Sequence, residues 1–443
     1  MVVIYLLLSV VIIIYLTAKL KVHPFIALLL VAIVYGIFAG MSLENIVISI
    51  NDGFGTTLGK IGLIIILGVI IGAFLENSGA AYAIAEKVLN VIGKNRVPLA
   101  MGIVGYFVSI PVFADSGFIL LSPLNKSLSK KANISLATTA VALSLGLMAT
   151  HTLVPPTPGP IAAAGILNAD IGLVILWGLL VSALALIFGL TFALKYASKT
   201  YIDPNPDISS TQIEDKLREA PGALKSSLPI IIPILLIILK SVITSFGSII
   251  NEDIVKFISF IGEPVIALLI GMFLSFILPK KLSKDMISTS GWVGKALSDS
   301  ASIILITGAG GIFGKVLQNS GIADIIGATL SDVNLSIWLP FLLAAAIKTA
   351  QGSSTVSLIT TASIMMPMMN TLGFTGEFEK VMVVLAIGAG SMVFSHANDS
   401  FFWVVTQLSG IDVKSGYRLY SLGTFILGVS ASVIIYIFYL IVV

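Results

Sequence analysis

Apolar runs close to the length of a bilayer crossing recur along nearly the whole chain, and they decide the class of fold. A helix needs roughly 20 apolar residues to cross a bilayer. Val2–Thr17, Pro24–Gly40, Ile61–Leu75, Ile134–Thr150 and Leu173–Leu194 approach or reach that length in the first half alone, with a polar loop expected through Asn51 and Asp52 ahead of the third. Only 11% of the 443 residues are charged, against roughly 25% in a soluble domain, so most of the surface is not built for water. The chain reads as an all-α polytopic membrane protein. Its first run lacks a basic n-region and a small-residue cleavage site, so it reads as a retained span rather than a signal peptide. A formal charge of +3, with no basic cluster interleaved with aromatics, speaks against nucleic acid as a partner. There are no cysteines and three scattered histidines. Disulfides, thiolate metal sites and cysteine nucleophiles are thereby excluded, and neither a metal nor a cofactor is called for. No nucleophile–base pair stands at a recognisable spacing, so an enzyme is not expected.

Against that background the polar interruptions stand out. Ser109-Ile-Pro-Val-Phe-Ala-Asp-Ser-Gly117 places a proline, a carboxylate and a hydroxyl inside an apolar run. Such groups survive at membrane depth only where protein or a water-filled cavity surrounds them. Three further interruptions have the same character: Thr150–Gly159, which is rich in proline, Ile347–Thr355, and Ser395–Ser400.

The four interruptions are ordered by an internal repeat at an offset of about 240. Pro24-Phe-Ile-Ala-Leu-Leu-Leu matches Pro264-Val-Ile-Ala-Leu-Leu-Ile, and Phe74-Leu-Glu-Asn-Ser-Gly matches Val316-Leu-Gln-Asn-Ser-Gly. His151 falls opposite His396. Residues 1–194 are expected to form the first repeat, with a hairpin at about 98–129 and a broken helix at about 134–168. A polar linker follows at 195–227. Residues 228–443 form the second repeat, with a hairpin at about 338–370 and a broken helix at about 381–410. If each hairpin is re-entrant, each repeat has five crossings and the second is inverted, ten crossings in all. With the Lys19 loop inside, nineteen of the 25 basic residues fall in cytoplasmic loops, and only Lys60, Lys256 and Lys380 fall outside, the bias of the positive-inside rule. The linker is then cytoplasmic and both ends are outside. Charge alone does not separate a hairpin from two full crossings. The polar tips and short arms favour the hairpin. Inverted repeats with matched breaks are the signature of secondary transporters; a channel has no need of duplicated closed hairpins.

The breaks supply the candidate site. Helix ends at a break leave backbone N–H groups that suit an anion. Gly117 and Gly352 let the backbone approach a ligand. Ser116, Thr152, Ser353, Ser354 and Thr355, with Gln351, could hydrogen-bond a hydroxylated solute, although Ser and Gly also serve helix packing. Asp115 is either a reversible proton carrier or a static counter-ion and tip cap. Lys348 either holds a substrate carboxylate or is paired within the protein. His151 and His396 either relay protons or cap broken helices. Asn398 and Asp399 either line the site or satisfy loose backbone.

These motifs resemble the gluconate permease family, the gluconate:proton symporters. The likeness rests on His151-x-x-x-Pro-Pro-x-Pro-Gly-Pro160, Asp115-Ser-Gly-Phe118 after Pro111, Ala346-Ile-Lys-x-Ala-x-Gly-Ser-Ser-Thr355, and Ser395-His-x-Asn-Asp399 followed by Phe402-Trp403. It covers nearly the whole chain, in the family's order. What it implies is proton-coupled uptake of gluconate or a related small hydroxy or sugar acid across the cytoplasmic membrane. The family is similar to the wider ion transporter superfamily, which implies a homodimer held by a scaffold domain and a transport domain that moves like an elevator. Asp115 stands where many members carry Glu, and Lys348 where they often carry Arg. The alternatives are a carrier of the same fold for D-serine or another small carboxylate, and coupling to sodium.

Overall fold

The computed structural model describes residues 2–93, 96–204, 218–245, 251–321 and 335–442, and every regular element among them is helical. In the first half α1 (Val2–Ile14) runs on through Tyr15–Lys19 and is followed by α2 (Pro24–Phe38), α3 (Leu43–Asn77) and α4 (Ala80–Ile92). Two helix pairs come next, α5 (Val97–Val108) with α6 (Ala114–Lys131) and α7 (Leu136–Leu153) with α8 (Pro158–Leu167), and then α9 (Ile171–Lys195). The second half opens with α10 (Ala223–Ser245), α11 (Glu252–Ile261), α12 (Pro264–Ser275) and the long α13 (Trp292–Asn319). Two pairs follow again, α14 (Trp338–Gln351) with α15 (Ser354–Met365) and α16 (Glu377–Gly390) with α17 (Ser400–Leu408). The chain closes on α18 (Val413–Val442). In each half a long helix (α3, α13) comes before two pairs and a closing long helix (α9, α18), with α4 between α3 and the first pair.

Six helices among the described residues are long and apolar enough to cross a membrane: Leu43–Asn77, Leu136–Leu167, Ile171–Lys199, Ala223–Ile243, Trp292–Asn319 and Val413–Val442. The pair α11 and α12 would make a seventh span, bent by 59°. Pro24–Phe38, Val97–Val108 and Ser354–Met368 are apolar but shorter. Leu7 and Val11 of α1, Ile26 and Leu30 of α2, and Ile437 and Leu440 of α18 point outward. Such side chains suit hydrocarbon, while all helical backbone groups are satisfied internally.

One expectation is corrected. Asn51 and Asp52 read as a loop ahead of a span beginning at Ile61, but α3 is continuous from Leu43 to Asn77. Ser42 starts it by accepting the Asn45 N–H at 3.2 Å, and Asn51 and Asp52 are simply exposed on its surface. No proline interrupts the run, and two polar residues on an outer face do not stop a helix. Of the expected linker, residues 205–217 lie outside the described residues, while α10 begins at Ala223, inside the linker's expected range.

Long helices α3 and α13 cross in close contact. A Cβ on Gly53 would stand 2.5 Å from the Gly311 carbonyl oxygen, and one on Gly311 the same distance from that of Gly53. Small residues let membrane helices approach in this way. Further along α3, Gly72 lies under the α5–α6 turn, where a Cβ would meet the Pro111 carbonyl oxygen at 2.4 Å. At the centre, nine-tenths or more of α7 and α8 is buried, so the break between them is enclosed by protein.

Candidate functional site

Each of the four pairs is broken by a short segment whose polar groups are largely consumed in holding the break. In the α5–α6 turn the Ser109 hydroxyl donates to the Val112 carbonyl at 3.0 Å, and the Gly117 N–H returns to Phe113 O at 2.8 Å. Asp115 therefore sits in the first turn of α6. Between α7 and α8 the Thr157 hydroxyl donates to Val154 O at 2.6 Å, and Thr150 reaches across to Tyr106 O at 2.9 Å.

The α14–α15 turn depends on Gly352. Its φ of +94° is left-handed, and its N–H bonds to Lys348 O at 2.8 Å, which closes α14 in the usual αL manner. A Cβ here would also lie 2.2 Å from Asn398 O, so only glycine fits. Ser353 then caps α15 by accepting the Val356 N–H at 3.3 Å. Ser357 donates to Ala344 O at 2.7 Å, tying the two arms together as a hairpin.

The α16–α17 break is sewn to that hairpin. His396 Nε2 and the Asn398 amide both reach the Thr349 carbonyl oxygen, at 2.8 and 2.9 Å. Asp399 is the hub. Its Oδ1 accepts the Phe401 N–H at 3.0 Å and so caps α17. Its Oδ2 accepts the Lys348 ammonium at 2.7 Å and the Ser395 hydroxyl. Lys348 has no exposed side-chain surface, Asp399 has 7%, and a second bond of the ammonium goes to Gly352 O. The two groups form a buried, internally satisfied ion pair.

These elements enclose a cavity of about 550 Å³. Of the expected residues, Asp115, Ser116, His151, Gln351, Gly352, Ser353, Ser354, Thr355, Asn398 and Asp399 line it. Both hairpin turns and both broken helices are thus represented. Gly117, Thr152 and Lys348 are not in its wall. Gly117 packs against Leu147, whose Cδ2 would be 2.8 Å from an added Cβ. Thr152 is buried and donates along its own helix to Met148 O at 3.1 Å. Lys348 lies behind Asp399. Phe113, Ala114 and Ser400 of the wall lie inside the named interruptions without having been singled out; the sequence reading missed Met148 and Phe401, and Asp299, which comes from α13. Nothing in the spacing marks Asp299 as different from any polar residue at the head of an apolar run.

The chemistry of the wall is distinctive. Among the described residues neither lysine nor arginine lines it. The N-terminal turns of α6, α15 and α17 do, through Ala114 to Ser116, Ser354 with Thr355, and Ser400 with Phe401. First-turn N–H groups lack intrahelical partners and carry partial positive charge, so the three together favour a small anion. Asp115 has no cation within ion-pair distance among the described residues; Ser400 donates to its Oδ2 at 3.3 Å. His151 Nδ1 and Asn398 Oδ1 are buried without a hydrogen-bond partner among the described residues. No group of three potential metal ligands occurs among the described residues.

The family model described as GntP family permease matches residues 1–441. The chain is 37% identical over 440 residues to an uncharacterized permease of Haemophilus influenzae, covering 95% of this chain and 88% of that one. It is 35% identical over 430 residues to a gluconate permease of Pseudomonas aeruginosa (95% and 93% covered). It is 33% identical over 433 residues to the D-serine transporter DsdX of Escherichia coli K12 (96% and 95%). In three dimensions it resembles the YdaH transporter of Alcanivorax borkumensis, with a TM-score of 0.64 at 14% identity, covering 94% of this chain and 98% of that one; at that identity the likeness speaks for the fold alone.

Proposed function

The chain belongs to the GntP family of permeases, and on that premise we propose that it takes up a small hydroxylated carboxylate of the gluconate type together with a proton. The observation that carries this reading is the single cavity shared by both hairpin turns and both broken helices. Its volume falls within the roughly 300–1,000 Å³ of small-ligand sites. The substrate carboxylate is taken by the N-terminal turns of α6, α15 and α17. Ser116, Gln351, Ser353, Ser354, Thr355 and Asn398 hydrogen-bond its hydroxyls.

The charges support proton coupling. A bound anion beside Asp115 meets a like charge, and the nearby Lys348 is already committed to Asp399. Protonating Asp115 removes that repulsion. Substrate and proton then favour each other's binding, and the linkage is reciprocal. The two halves are read as inverted repeats with the linker cytoplasmic, in a homodimer of the cytoplasmic membrane. The hairpins and broken helices form the moving body of an elevator. D-serine is a second candidate substrate, because Asp299 offers a carboxylate to an ammonium group.

Reconstitution tests the proposal. Purified protein in liposomes should accumulate labelled gluconate under an inward proton gradient without sodium. Accumulation that follows a sodium gradient at fixed pH would refute the proton assignment.

A further inference from the structure

Asp299 differs from the rest of the wall in origin and in charge environment. Phe113 to Ser116, Met148, His151, Gln351 to Thr355 and Asn398 to Phe401 all belong to the broken pairs, whereas Asp299 comes from the second turn of α13. It is exposed, and among the described residues it has neither a hydrogen bond nor an ion pair. Its charged neighbour is Glu76, half-buried at the end of α3. The charged neighbours of Asp115 are instead Asp399 and Lys348. Helix α13 runs beside α15 in the same direction, Gly310 against Ile359 and Gly314 against Ser363, so Asp299, further back along its helix than Ser354 is along α15, stands roughly 9 Å beyond the first turn of α15, across the cavity from it. Lys295, one turn away on α13, is exposed and not paired with Asp299.

The cavity is consequently directional. At one wall, helix N-termini present donors to a carboxylate. At the other, the Asp299 carboxylate presents acceptors, with the carboxyl of Glu76 behind it. A substrate fits when its carboxylate lies at the first wall and hydroxyl or ammonium donors reach the second. A second carboxylate at the far end would meet Asp299 with no cation among the described residues of the wall to relieve it. A site rejects a competitor by such repulsion as effectively as it selects a ligand by attraction.

We propose that Asp299 determines specificity by reading the far end of the substrate, admitting monocarboxylates with donor-bearing tails and excluding dicarboxylates. This deepens the transport reading and rests on it. The experiment uses gluconate and glucarate, which differ by oxidation of the far carbon to a carboxylate. Full-length protein in liposomes is preloaded with gluconate, and counterflow of labelled gluconate is competed with each compound unlabelled. Wild type should be inhibited by glucarate about tenfold more weakly than by gluconate, or worse, as expected where like charges are juxtaposed. In Asp299→Asn the ratio should fall to within about threefold, and in Asp299→Lys glucarate should become the stronger competitor. The ratio is internal to each variant, so a change in overall rate does not disturb it. An unchanged ratio in both variants, or equal competition in wild type, overturns the assignment of Asp299 while leaving gluconate transport standing. Wild type without gluconate counterflow overturns the transport reading and this inference with it.

Discussion

Replacing Lys348 by methionine separates two roles that a lone intramembrane lysine can have. The ammonium lies 2.7 Å from Asp399 Oδ2 with no exposed surface. At that distance the Coulomb attraction is about 6 kcal/mol at an effective dielectric constant of about 20. Desolvation of both ions consumes much of it, so the pair itself contributes little net stability. Breaking it is another matter, because Asp399 is left charged, buried and unpaired, at a cost of roughly 3–5 kcal/mol. Lys348→Met should therefore lower the melting temperature of the detergent-purified protein sharply. Asp399→Asn added to it removes the stranded charge, and asparagine still caps α17 through Phe401. The double variant should recover most of the lost stability, with an interaction energy of about 2–3 kcal/mol in the cycle, since the two side chains are in direct contact. It should also bind gluconate, because the ammonium does not reach the cavity wall. A Lys348→Met protein as stable as wild type, or a stable double variant that has lost gluconate binding, would refute the reasoning and return Lys348 to the substrate.

Other consequences are checked more simply. Asp115→Asn should abolish proton-driven accumulation of gluconate in liposomes while gluconate counterflow persists, since counterflow needs no net proton release. Gly352→Ala forces a left-handed alanine, which costs about 1–2 kcal/mol, and drives a Cβ to 2.2 Å from Asn398 O; gluconate binding by thermal shift should disappear. Gly72→Ala places a Cβ 2.4 Å from Pro111 O beneath the first hairpin turn. That overpacking should cost about 1–3 kcal/mol and slow uptake although residue 72 is outside the cavity.

The breaks were legible in the sequence because polar groups and prolines are costly in hydrocarbon and so mark their own positions. Asp115, Gln351 to Thr355, and Asn398 with Asp399 could be named from that cost alone. What a side chain faces is not written in its cost. Lys348 could face a ligand or a partner 51 residues away, and only the tertiary contact with Asp399 decides. Thr152 looked like a binding hydroxyl, yet it closes a bond to Met148 within its own helix. The extent of α3 was hidden for the converse reason: Asn51 and Asp52 are cheap on an exposed face and carry no boundary information. Asp299 was silent because its meaning comes from a cavity built by other elements. A single carboxylate at the head of an apolar run looks the same whether it faces lipid headgroups or a ligand.

The charge arrangement of the cavity also fixes how transport should respond to membrane potential. Lys348 and Asp399 cancel each other in every state in which they remain paired. Asp299 has no part in the proposed coupling step, so it adds nothing to the difference between loaded and empty carriers. That leaves Asp115 and the ligand. A gluconate anion entering with one proton on Asp115 leaves the site with the charge it had when empty and ionised, so the loaded and empty carriers cross the membrane with equal charge. Each uncompensated charge would be worth about 2.3 kcal/mol per 100 mV; for gluconate that contribution should vanish. Gluconate uptake in liposomes should then follow the pH gradient and ignore a potassium diffusion potential imposed with valinomycin. D-serine is zwitterionic, so the same proton would move one net positive charge, and an interior-negative potential should accelerate its uptake. Gluconate uptake that rises with interior-negative potential would mean that more than one cation enters per anion, and Asp115 could not then be the sole carrier of the coupling charge.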